Sequence, residues 1–181
     1  LADQLGLALD LQVYDFEADP LAAVERGEAE IAATGSMATQ ERRTRFRYGP
    51  TLREVKPQVV YRRGSRRPRQ LADLRDPLRI AADSPVNDVV NRLAEGYPEL
   101  AWTTVPDADD DTLLYQVAEG EQPLAAASSD VISISRRSYP RLTVAFDLDA
   151  AMPVACALQR NEDHSLYNAV WQSSCRALLH P

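Results

Sequence analysis

The chain has 181 residues, 45% hydrophobic and 26% charged, with a net charge of -7 and a pI near 4.9. That is the size of one domain or two small lobes, and the composition of a globular protein. The acidic balance argues against a general nucleic-acid binder, which needs a basic face.

No apolar run reaches the roughly 20 residues of a membrane-crossing helix. Cys156 and Cys175 form no CxxC pair and fit neither a zinc site nor a thioredoxin-like site. They read as two buried thiols, with a disulfide in an oxidising compartment as the alternative. Lys56 is the only lysine, which reads as an effect of genome composition. Leu1 falls inside a helical pattern with no signal peptide before it, so the chain reads as part of something longer.

Residues 1–6 read as the end of a helix closed by Gly6. The alternation of Leu9, Leu11 and Val13 predicts a half-buried strand over Leu7–Phe16. Asp19 and Pro20 then open a helix as cap and first residue. It ends at Gly27 and feeds a strand over Ile31–Thr34. Gly35–Thr39 is a loop, and Thr39-Gln40-Glu41-Arg42 opens a short helix. Leu52–Tyr61 reads as a long extended segment. The turn that follows, Arg62–Arg69, has five arginines in eight residues. It reads as a solvated loop, with a polyanion patch as the alternative.

Leu78–Ala82 is predicted as a strand, and Asp83-Ser84-Pro85 as the start of a helix over Val86–Leu93. A strand over Ala101–Val105 leads to the acidic run Asp107–Asp111. That run lacks the glycine and the distal glutamate of a calcium loop, and suits the positive end of the next helix. A strand over Leu124–Ala127, a helix over Val131–Tyr139 and an extended segment over Leu142–Phe146 follow. A strand near Val154–Leu158 and a helix over Ser165–Leu179 complete the chain.

The pattern Val-x-x-Gly-Glu-x-x-Ile/Leu-Ala-Ala occurs at Val24–Ala33 and again at Val117–Ala126. Each copy is a helix, a closing glycine and a strand. Alternating helices and strands make the class α/β, and the repeat points to two lobes. Gln58–Arg62 and Val144–Asp147 read as bridging segments. Lobe 1 is therefore expected to hold residues 1–61 and 144–181, with lobe 2, residues 62–143, inserted.

In an open α/β sheet, ligands collect beyond the carboxyl ends of strands. Gly35–Arg42 and Ser128–Asp130 occupy such positions. Asp83-Ser84 adds a helix N-terminus that favours an anion. The three are expected to face one another across a cleft. Arg42 is the strongest candidate, because a guanidinium holds a carboxylate through two parallel hydrogen bonds. Backbone N–H groups near Gly35 and Thr39 would complete the site. The alternative for Arg42 is a surface arginine paired with Glu41. Catalysis finds little support: there is no Gly-x-Ser-x-Gly elbow, Walker loop or HExxH, and no carboxylate pair is singled out by its spacing.

Gly35-x-x-x-Thr39-x-Glu41-Arg42, followed by Tyr48-Gly49-Pro50, resembles the signature of periplasmic solute-binding proteins of the amino-acid type, family 3. In their order, Leu1–Gly6, Gly49–Thr51, Val60–Arg62, Arg67–Leu74, Tyr97–Trp102 and Val144–Asp147 are similar to the regulatory domains of membrane-bound lytic transglycosylases. The resemblance covers nearly the whole chain. It implies a two-lobed, hinged periplasmic-binding-protein-like fold of type II, with the N-terminal strand of the first lobe missing before Leu1.

The resemblance also implies that Arg42 grips a ligand carboxylate, within a binding set of Gly35, Met37, Thr39, Arg42, Ser84, Ser128 and Asp130. The family's ammonium-gripping aspartate corresponds to Ser128, with Asp130 two residues later. This shifts the expected ligand from a free amino acid toward a peptide or muropeptide, or toward a vestigial site. No catalytic residue, cofactor, metal or nucleic acid is implied. The implied partner is a catalytic domain of the same polypeptide after Pro181. The implied location is periplasmic, at the outer membrane through the parent protein's anchor. A free-standing ABC-transporter solute-binding protein for amino acids is the alternative.

Overall fold

The computed structural model describes residues 2–14 and 18–179, with the backbone alone for Gln4 and residues 174–179. The chain forms two compact units. Unit 1 comprises Leu1–Arg53 and Pro153–Pro181, and unit 2 comprises Glu54–Met152.

In unit 1, helix α1 (Ala2–Leu5) ends at Gly6, whose φ is 65°. Residues 7–14 form no strand, against the expectation for Leu7–Phe16; Phe16 lies outside the described residues. Among the described residues no strand pairs with residues 7–14, so the alternation buries nothing: Leu9 and Leu11 are each 75% exposed and Val13 86%. Helix α2 (Ala18–Arg26) buries Leu21, Ala23 and Val24. Pro20 sits in its first turn, where a missing N–H costs nothing. Gly27 closes it at φ 74°, a left-handed conformation that favours glycine. Strand β1 (Ile31–Ala32), helix α3 (Gln40–Arg45) and strand β2 (Phe46–Tyr48) follow.

The chain leaves unit 1 through β3 (Arg53–Val55). Unit 2 then runs through β4 (Pro57–Arg62), a 3-10 turn (Leu71–Asp73), β5 (Leu78–Ala81), α4 (Val86–Gly96) and β6 (Trp102–Val105). It continues through α5 (Asp110–Glu119), β7 (Leu124–Ser128), α6 (Ser129–Ser138) and β8 (Leu142–Asp147). Its five-stranded sheet has the order β6-β5-β7-β4-β8. β5 is parallel to β6 and β7, and β4 is antiparallel to β7 and β8.

Neighbouring residues on these strands enter opposite cores, because side chains alternate along a strand. Val59, Ile80 and Ala126 join Val86 and Val90 of α4 on one face. Val60, Ala81 and Ala125 join Leu113, Leu114 and Val117 of α5 on the other. β7 is central and covered on both sides, so all five of its residues are buried. The acidic run serves α5 as a cap: Asp109 Oδ1 accepts the N–H of Thr112 at 2.8 Å. Gly120 ends the helix at φ 85°.

The expected bridging segments lie inside unit 2. Gln58 pairs with Asp147 and Val60 with Val144 in the β4–β8 ladder. The chain instead crosses between the units at Arg53/Glu54 and Met152/Pro153. The expected boundaries at 61/62 and 143/144 therefore move outward. The crossing strands are β3 and β9 (Met152–Val154), which pair as a two-stranded ribbon.

Back in unit 1, β10 (Ala157–Gln159) lies antiparallel between β1 and β2, with Leu158 opposite Ile31 and Ala157 opposite Tyr48. The single strand expected over Val154–Leu158 is thus two, β9 and β10, separated at Ala155-Cys156. Leu21, Val24, Ala32, Phe46, Tyr48 and Ala157 form this unit's core. Helix α7 (Ser165–Leu179) closes it. A Cβ on Gly49 would meet Val170 of α7 at 3.3 Å, so the absence of a side chain there admits the helix. Cys156 is a half-buried free thiol whose pKa burial pushes up.

Candidate functional site

The repeated helix–glycine–strand unit delivers α2 and β1 in unit 1, and α5 and β7 in unit 2. Each copy leads to one cluster of candidate residues.

In unit 1, the chain turns at Gly35, with φ 67°, and enters a buried stretch. Ser36 and Met37 are 2% exposed, and Thr39 is 3% exposed. Strand residues from the end of the chain hold this loop: Met37 bridges Val154, and the Ala38 N–H donates to Pro153 O at 2.9 Å. Thr39 then caps α3, its Oγ1 accepting the N–H of Arg42 at 3.2 Å. A six-residue helix has little stability of its own, so the cap and the packed loop fix it. Arg42 is half-buried, and its Nη1 donates to Ser36 Oγ. The structure thus brings Gly35, Met37, Thr39 and Arg42 together.

Two neighbours were not apparent from sequence. Arg53 places its guanidinium 3.6 Å from where a Gly35 Cβ would stand. Among the described residues, buried Thr34 Oγ1 has no hydrogen-bond partner. Neither residue stands in a motif, so nothing local marked them.

In unit 2, the carboxyl ends of parallel strands β5 and β7 lie side by side, with Arg79 level with Ala125. They present Ser84 and Ser128 respectively, 7% and 9% exposed. This is where an α/β sheet gathers ligands. The Ser84 hydroxyl makes two long contacts, 3.4 Å to Asp110 Oδ2 and 3.4 Å from the Val86 N–H. Asn87 ties the turn down by donating to Ala81 O at 2.6 Å and Ala82 O at 2.8 Å. Ser128 Oγ donates to Asp130 Oδ1 at 2.6 Å, which also accepts the Val131 N–H at 3.0 Å. Asp130 is thus directed toward the start of α6.

Next to them, Lys56 and Ser129 exchange two bonds: Ser129 N–H to Lys56 O at 2.8 Å and Lys56 N–H to Ser129 Oγ at 3.0 Å. Lys56 Nζ pairs with Asp147 at 2.6 Å, and Gln58 donates to the same carboxylate at 2.6 Å. These two bonds hold Asp147 below the usual carboxylate range. The only lysine thus has a structural place that composition did not reveal.

Among the described residues, no group of three or more His, Cys, Asp or Glu could hold a metal ion. No described helix is long and apolar enough to cross a membrane.

The architecture is that of periplasmic binding proteins. An ancestral arginine-binding protein bound to arginine superposes with a TM-score of 0.80 at 14% identity, covering 99% of this chain and 78% of that one. A histidine kinase sensor domain with similarity to periplasmic binding proteins gives 0.79 at 17% identity, over 98% and 76%. At such identities these likenesses define the fold alone.

The sequence is similar to proteins named membrane-bound lytic murein transglycosylase F. That of Aeromonas salmonicida (strain A449) is 36% identical over 169 residues, 93% of this chain and 34% of that protein. That of Aliivibrio fischeri (strain ATCC 700601 / ES114) is 39% identical over 168 residues, 91% and 34%. The chain therefore spans about a third of the length of these relatives. No family model matches it.

Proposed function

We propose that this chain is the ligand-binding regulatory module of a membrane-bound lytic transglycosylase acting in peptidoglycan turnover. Its Arg42 would receive the carboxylate of a small ligand: a muropeptide, a stem peptide or an amino acid. The observation that carries this reading is Arg42 itself, half-buried on a capped helix and steered by the Ser36 hydroxyl. A planar guanidinium with five N–H donors matches the two oxygens of a carboxylate. The similarity to one third of the transglycosylases supports a module that senses rather than cleaves. Ligand binding would shift its conformational population, and the partner would be the catalytic part of the same polypeptide. The location that goes with this reading is the periplasm, at the outer membrane.

Calorimetry of the chain with amino acids, stem peptides and muropeptides tests the reading. At least one carboxylate-bearing ligand should bind, and Arg42→Ala should weaken it about tenfold or more, or roughly 1.4 kcal/mol. Equal binding by Arg42→Ala, or no heat from any of them, would sink it. Cleavage of peptidoglycan by this chain alone would overturn the non-catalytic assignment. Tighter binding of free amino acids than of peptides would favour a transport-type solute-binding protein, the reading that the arginine-binding structural neighbour also supports.

A further inference from the structure

We propose that unit 2 carries a second binding site, beside β8, for a short peptide bearing two or more carboxylates. β8 is the edge of the five-stranded sheet. Alongside it lies an open depression of about 550 Å³, lined by Arg67, Arg69, Val144, Ala145, Phe146 and Asp147.

Arg67 is held in place there. Its Nη2 and Nε donate to Ala145 O at 2.7 and 3.3 Å, near the register shift between Val59 and Val60 in the β4–β8 ladder. A guanidinium has five N–H donors, so about three remain on a group that is already immobilised. Arg69 is fixed through its backbone, whose N–H donates to Asp73 Oδ2 at 2.8 Å. Among the described residues, the side chains of Arg63, Arg66 and Arg69 make no hydrogen bond or ion pair. The segment 62–69 carries five positive charges and no acid, in a chain whose net charge is -7.

The only acid lining the depression, Asp147, is occupied by Lys56 and Gln58. It therefore opposes an incoming anion less than a bare carboxylate would. Val144 and Phe146 also line the depression, although their side chains pack toward opposite cores of the sheet. The volume falls in the range of sites for organic ligands and far exceeds that of an inorganic ion. Separated guanidiniums suit several carboxylates on one short chain. The bond from Arg67 to Ala145 O also blocks part of the strand edge, so recognition runs through side-chain charge rather than an added strand. This site is independent of the Arg42 reading.

The test is an amide NMR titration of the whole chain at low salt with triglutamate. Triglutamine, inorganic phosphate and phosphatidylglycerol vesicles form separate arms. Triglutamate is expected to shift residues 66–70 and 144–147 saturably. Arg66→Gln/Arg69→Gln should raise the Kd about fivefold or more while amides elsewhere keep their positions. Arg42→Gln should leave this titration unchanged, which separates it from the ligand site of unit 1. Equal shifts with triglutamine, equal affinity for inorganic phosphate, an unaffected double variant, or tighter capture by the vesicles would each overturn the assignment.

Discussion

Thr39 Oγ1 accepts the backbone N–H of Arg42 at 3.2 Å, so one hydroxyl both starts α3 and sets where the arginine leaves the backbone. Removing it should cost about 1 kcal/mol, or roughly 2–4 °C in Tm for a chain of this size. Thr39→Ala is therefore expected to melt earlier, and Thr39→Ser to melt like the parent. Calorimetric scans of the three proteins check this. Equal melting of Thr39→Ala would show that the packed loop alone holds the helix.

The alternating leucines near the N-terminus offer a contrast. Leu11 is 75% exposed, whereas Leu114 is fully buried against the β4 face. Leu11→Ala should change stability by less than about 0.5 kcal/mol, and Leu114→Ala should cost about 2–5 kcal/mol. Urea unfolding of both variants is the measurement. A large loss from Leu11→Ala would mean that residues 7–14 pack in solution.

Gly120 closes α5 at φ 85°, and a Cβ there would come within 2.5 Å of Arg62 Nη1. The guanidinium end can swing aside, so the cost of Gly120→Ala comes mainly from the left-handed backbone, about 1–2 kcal/mol. Gly6→Ala, with φ 65° and nothing within 4 Å of its Cβ, should carry a similar backbone cost. If Gly120→Ala lost far more stability than Gly6→Ala, as judged by urea midpoints, the Arg62 contact would be the stiffer of the two terms.

Asp147 supplies a pH prediction. Bonds from Lys56 and Gln58 lower its folded pKa, so its contribution is fully present above the unfolded carboxylate value of about 3.9. It is lost as the pH falls through the lower folded value. The pair is partly exposed, so the contribution stays within about 1 kcal/mol. Asp147→Asn should be less stable than the parent at pH 6, with the gap narrowing below pH 4. Urea midpoints across that range test it; a gap that widens toward acid would contradict the sign.

Local signals were legible where one residue decides the backbone. Gly27 and Gly120 announced two helix ends, Thr39 announced one helix start, and the acidic run Asp107–Asp111 marked another without singling out Asp109 as its cap. Arg42 stood out because a guanidinium beyond the carboxyl end of a strand can hold a carboxylate through two parallel hydrogen bonds. What depends on pairing partners was not legible. Leu9, Leu11 and Val13 alternate as a strand does, yet among the described residues no strand lies alongside to use the pattern. Gln58–Arg62 looks equally extended whether it joins two units or, as found, pairs within one sheet. Arg67 and Ala145 stand 78 positions apart in sequence, so their contact left no trace in either segment.

The placement of β10 between β1 and β2 bears on the order of events at the ribosome. Unit 2 is one uninterrupted stretch and has everything it needs once Met152 has emerged. The sheet of unit 1 lacks its middle strand until Gln159 has been made, although β1 and β2 appear first. The early strands must wait, unpaired, while the later unit assembles. A stalled nascent chain in which Met152 is followed by an unstructured linker long enough to carry it clear of the ribosome is expected to give a protease-resistant unit 2 and a digestible N-terminal segment.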